Sequence, residues 1–189
     1  MKGIYLMKNN NMDFFIGSLD EKALVEIDDI TAIAAISKSA FANSDAENIL
    51  LSSCSTGIGK SAFENCDKLK TVIFGEIENS IIGDESDSTL KNASPASVRG
   101  DFTIQTNAFK GCSSLTTLIL PEISGTLTIE KDAFSSCEKL RSVVAICDEA
   151  VFTGNPFSGC PARLTFVCDK DSKVARFARE NGYRSVYVD

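Results

Sequence analysis

The sequence predicts a repeat solenoid, α/β or mainly β, with short strands and short helical turns stacked in a right-handed curved array. Two observations predict it. An aromatic marker returns at a near-constant interval, and the apolar residues around it return at fixed offsets. The marker is the Phe of an Ala-Phe or Pro-Phe pair, at Phe41, Phe63, Phe109, Phe134 and Phe157, with steps of 22, 46, 25 and 23 residues. The step of 46 is twice 23, so one unit between Phe63 and Phe109 has lost its signature or been broken by an insertion. Periods of this size belong to chains built by stacking one supersecondary unit.

Taken in order, residues 1–35 read as an N-terminal lead and divergent cap. Residues before about Met12 look frayed, and "ALVEIDDITAIAAI" reads as a divergent first coil. The repeats run over 36–168, interrupted by an irregular insertion at 75–100, and 169–189 form a C-terminal cap, all within one domain. Five residues before each marker sits an apolar residue: Ile36, Ile58, Ile104, Ile129 and Phe152. Three residues after it come Cys66, Cys112, Cys137 and Cys160, with Ser44 in the first unit. Leu69, Leu115 and Leu140 follow at the next interval of three, and each opens an L-x-x-[LV]-x-Φ run. Glu47 and Arg163 stand where the others have Leu, as expected of end units that cap a stack.

Apolar groups every three residues in Ala-Phe-x-x-Cys-x-x-Leu suit a tight helical or 3₁₀ turn with one inward face. The alternation in "FTI", "LTI" and "TLIL" suits short strands. A single unit cannot bury its Phe and Leu, but stacked units cover one another and make the core continuous. In the tail, "DSKVARFARENGY" reads as a short amphipathic helix. Asp171 or Ser172 caps it, Val174, Phe177 and Ala178 form its buried face, and Gly182 ends it. "SVYV" is a final strand.

The best copies are "IQTNAFKGCSSLTTLILPE", "IGKSAFENCDKLKTVIF" and "IEKDAFSSCEKLRSVVA". This pattern resembles the BspA-like leucine-rich repeat family, over about residues 36–168 less the insertion. The resemblance implies a curved solenoid on microbial surface or secreted proteins that bind host proteins or other cells. It brings no shared catalytic residues.

Composition narrows the function. A net charge of −7 disfavours nucleic-acid phosphates. No apolar run reaches the ~20 residues of a spanning helix, so membrane insertion is not expected. The N-terminus lacks a secretory pattern; either the protein stays inside or its export signal is not in this chain. There is no histidine, and the seven cysteines show no metal-like spacing, so neither metal nor cofactor is expected. "GIGKS" at 57–61 imitates a phosphate loop, but Cys54 stands where that loop needs its first Gly. It reads as a repeat turn. Stacked coils ~4.8 Å apart hold parallel side chains too far apart for a disulfide, so the cysteine column reads as reduced small hydrophobes. Cys147 and Cys168 lie off the column, and a bridge between them stays open. Asp84, Glu85 and Asp87 lack the spacing of a calcium loop, and the Asn92 sequon reads as chance.

In the L-x-x-L-x-L runs the x positions face outward. They form three columns: Lys70, Thr116 and Arg141; Thr71, Thr117 and Ser142; and Ile73, Ile119 and Val144. These nine residues are the candidate ligand-binding face, expected on an open sheet. The function expected is non-catalytic binding of a protein or glycan partner at a cell surface or outside the cell. The alternative is an intracellular structural or assembly scaffold with the same solenoid. Either is compatible with end-to-end or face-to-face self-association.

Overall fold

The computed structural model describes residues 3–8, 11–18, 24–27, 35–51, 56–77, 93–95 and 97–188. Along the chain run β1 (Gly3–Lys8), β2 (Asn11–Ser18), β3 (Leu24–Ile27), β4 (Ala35–Ile36), β5 (Asn48–Leu51) and β6 (Gly57–Ile58). They are followed by β7 (Thr71–Ile77), β8 (Ala93–Pro95), β9 (Ser97–Val98), β10 (Phe102–Ile104), β11 (Thr117–Ile119) and β12 (Glu122–Ile123). The chain closes with β13 (Thr126–Ile129), β14 (Ser142–Val144), β15 (Glu149–Phe152), β16 (Thr165–Asp169), α1 (Lys173–Glu180) and β17 (Arg184–Val188).

From β3 onward, strands of the repeats alternate between two sheets. One sheet has the order β1-β2-β4-β6-β10-β13-β15, the other β3-β5-β7-β11-β14-β16-β17. Apart from the β1–β2 hairpin and the β7–β8 pair, every strand pair is parallel. The N-terminal lead, expected to be frayed, instead forms that hairpin, and β2 joins β4 to extend the first sheet.

The turn after each first-sheet strand forms a third ladder. Each of the first four marker Phe residues donates its amide to the carbonyl at the Ala or Pro position of the next turn. The bonds are Phe41 to Ala62, Phe63 to Ala108 and Phe109 to Ala133 at 2.7 Å, and Phe134 to Pro156 at 2.8 Å. The tight turns expected are made with three-residue bonds of the 3₁₀ kind, but they do not run on into helices. Bonds spanning three residues, such as Ala62 N to Gly59 O, alternate with bonds between turns. Left-handed residues break any helix two positions before and two after the Phe. Ser39, Ser61, Asn107 and Asp132 hold the first position at φ 56–60°; Asn43, Asn65, Gly111, Ser136 and Gly159 hold the second. Asn and Gly adopt this conformation at least cost, which is why the turns are rich in small polar residues.

The five Phe rings form one buried stack with centroids 4.9, 4.9, 5.1 and 5.0 Å apart. Beside them runs the cysteine column. Each thiol donates to the Phe carbonyl one turn back: Cys66 to Phe41, Cys112 to Phe63, Cys137 to Phe109 and Cys160 to Phe134, at 2.9–3.3 Å. All six described cysteines, including Cys147 and Cys168, are free thiols. In the first turn the Ser44 hydroxyl instead accepts from the Ala46 amide at 3.0 Å.

The 46-residue step hides no degenerate turn. β6 pairs directly with β10, β7 with β11, and Phe63 stacks on Phe109. The extra residues are an excursion from a single turn, leaving after β7 and rejoining through β8 and β9. Cys54, Asp84, Glu85, Asp87 and Asn92 lie outside the described residues.

At the C-terminal end α1 takes the place of the next first-sheet strand. Ser172 caps it by accepting from the Ala175 amide at 3.2 Å, and Gly182 follows at φ +75°. Val174, Ala175 and Ala178 are buried, and Phe177 stacks on Phe152 at 3.7 Å. The helix thus closes the end of the core.

Candidate functional site

The outer face of the second sheet is built by strand parity. In β14 and β16 the inward residues Val143, Phe166 and Cys168 are fully buried. Register then aligns the residues between them across strands. Thr71, Thr117, Ser142, Thr165 and Arg184 make one row, and Ile73, Ile119, Val144, Val167 and Val186 the next. Backbone bonds at the start of each strand hold the third row: Thr116 N to Lys70 O at 2.8 Å and Arg141 N to Thr116 O at 2.9 Å.

The nine predicted residues therefore fall into the three columns expected, but the face is not open throughout. Ile73 is 6% and Ile119 3% exposed, so the apolar strip is covered at these positions, and Thr117 is buried beside it. Parity fixes the direction of a side chain, whereas exposure depends on what the fold lays over it, and the excursion leaves and rejoins next to these strands. Lys70 is exposed, with Nζ 3.1 Å from the Glu47 carboxylate, and the Thr116 hydroxyl donates to the Lys70 carbonyl at 3.0 Å. Arg141 is exposed, while Thr71, Ser142 and Val144 are half-buried.

Both rows continue into β16 and β17, which the leucine pattern misses because the last unit has Arg163 in place of its Leu. The alternation in "TFVCD" and "SVYV" was the available signal. Exposure of the β-branched row rises toward this end, reaching 52% at Val186.

The "GIGKS" glycines have a packing role. Gly57 sits at φ +137°, and a Cβ there would lie 2.1 Å from the Thr103 carbonyl oxygen. A Cβ on Gly59 would meet the Ile36 carbonyl oxygen at 2.7 Å. The Gly59 amide donates to that same carbonyl, and the Lys60 amide donates to Gln105 Oε1 at 2.9 Å. These amides are consumed by neighbouring turns. A shallow depression of about 200 Å³ lies beside these glycines, lined also by Ile36, Thr56, Ile58 and Gln105.

A second groove of about 290 Å³ is lined by Arg99, Glu122, Ile123, Cys147, Asp148 and Asp169, among others. Burial, then the Asp169 and Asp148 carboxylates, push the Cys147 thiol up to about 12, so it is a poor nucleophile at neutral pH. Among the described residues no group of three or more His, Cys, Asp or Glu could hold a metal ion. Nor among them is there a helix long and apolar enough to cross a membrane.

The sequence model for the BspA type leucine rich repeat region matches residues 34–164, in six copies. The chain belongs to the BspA-type leucine-rich repeat family. No curated protein and no solved structure matches it. For this BspA-type chain the recurring positions of the repeat have physical roles: Phe stacks, Cys donates to a carbonyl, and Leu fills the core under the second sheet.

Proposed function

We propose that the chain is a non-catalytic binding module that recognises a protein or glycan partner at a cell surface or outside the cell. The observation that carries this reading is the alignment of outward side chains over a continuous core. Three rows are held in register by backbone bonds, so the side chains are placed before any partner arrives. Such preorganisation lowers the ordering entropy lost on association. The family supports a repeat-based scaffold of this kind.

The test is to immobilise the full chain and probe it with a panel of secreted proteins, surface proteins and glycans. Saturable binding by at least one member is expected; no saturable binding would contradict the reading. Its location is tested separately by protease treatment of intact source cells, which should release peptides of this chain. The second reading, an internal assembly scaffold, is favoured by the free thiols of all six described cysteines. Peptides released only after lysis would select it.

A further inference from the structure

We propose that the free edge of β17 accepts an extended acidic peptide segment as an added strand. The proposal rests on the binding-module reading and names the partner's chemistry.

Among the described residues β17 ends its sheet and pairs with β16 alone. Alternate backbone groups of such a strand point away from the sheet and can pair with another chain. Natural sheets usually blunt this edge with Pro, Lys or a bulge. "RSVYV" contains neither residue, and its five-residue register with β16 runs without a shift. Among the described residues the exposed large hydrophobics are Val151, Val186 and Tyr187, and two of these three lie on β17.

Charge indicates what would pair there. Arg184 lies on the outer face of β17 and is exposed. Arg163, also exposed, stands two residues before the start of β16. Among the described residues no ion pair involves either arginine, although the chain carries a net charge of −7. Guanidinium forks bind carboxylates in two-bond geometry. Two residues beyond Arg184 on the same face is Val186, 52% exposed. An added strand alternates its faces, so a carboxylate and a small apolar side chain two residues apart would meet Arg184 and Val186 together.

The test measures fluorescence anisotropy of a labelled threonine-rich peptide with Glu and Val two residues apart, added to the full chain. Controls replace Glu by Lys, or N-methylate alternate backbone amides. The Glu peptide should bind, the Lys peptide should not, and N-methylation should abolish binding. Arg163→Glu with Arg184→Glu, both at exposed positions, should weaken the Glu peptide by on the order of tenfold and favour the Lys peptide. Equal binding of both peptides, indifference to N-methylation, or no binding at all would overturn the proposal. So would a dimer at this edge that the Arg variants dissolve and the peptide does not displace. A panel partner that binds regardless of the β17 variants would overturn this inference alone and leave the binding-module reading standing.

Discussion

Phe109 is fully buried between Phe63 and Phe134, 4.9 and 5.1 Å away. Removing its ring empties the middle of the stack, where rigid turns on both sides limit collapse. Phe109→Ala should cost about 4 kcal/mol in urea unfolding; a loss below about 1 kcal/mol would mean the stack is not the core it is taken to be. The thiols make a different prediction. In the unfolded chain Cys147 ionises near 9.0, while in the fold burial and two carboxylates hold it near 12. Between those values the unfolded chain has released a proton that the folded chain keeps. The stability this contributes is whole below about pH 9 and is lost as pH rises toward 12. The Cys160 thiol and burial push Cys137 up as well, so it acts in the same sense. The urea midpoint should fall between about pH 8 and pH 10.5, and Cys147→Ala should lessen the fall. An equal fall in both proteins would contradict this account of Cys147.

At the scale of elements, the turn over Gly57 and Gly59 tests whether "GIGKS" is architecture or chemistry. Gly57→Ala drives a methyl into the Thr103 carbonyl and adds strain at φ +137°, so it should destabilise by roughly 3 kcal/mol. Lys60→Ala removes an exposed side chain and should change stability by less than about 0.5 kcal/mol. A nucleoside triphosphate should leave the thermal midpoint of the wild type unmoved; a clear rise would restore the phosphate-loop reading. The C-terminal helix makes a parallel case. Phe177 stacks on Phe152 and packs near Phe157 and Phe166, so Phe177→Ala should open that end first. Hydrogen exchange should then quicken in β16 and β17 before β10 or β11; uniform quickening would argue against α1 as an end cap.

For the whole molecule, the stacking was legible because each stacking residue has one job repeated at one offset. Phe, Cys and Leu mark the core directly, and the C-terminal cap followed from its N-cap, apolar face and Gly182. Three features were not legible. The turn conformation depends on left-handed residues bonded to the next turn, a non-local pattern that apolar spacing does not carry. The 46-residue step could be an extra turn or an excursion, and only the direct Phe63–Phe109 stack decides between them. Burial of Ile73 and Ile119 could not be read from strand parity, which fixes the direction of a side chain and not its exposure. The candidate face is therefore narrower in the middle than its sequence pattern and longer at the C-terminal end.

The central claim is that recognition uses the outward rows of the second sheet. Lys70 and Arg141 are exposed and stand at the start of β7 and β14, so their replacement should spare the core. The most direct measurement is binding of a panel-identified partner to wild type and to Lys70→Glu with Arg141→Glu, at equal folded concentration verified by circular dichroism. The account predicts that the double variant keeps its fold and loses affinity by on the order of tenfold. Unchanged affinity in a folded double variant would contradict it and place recognition on another face.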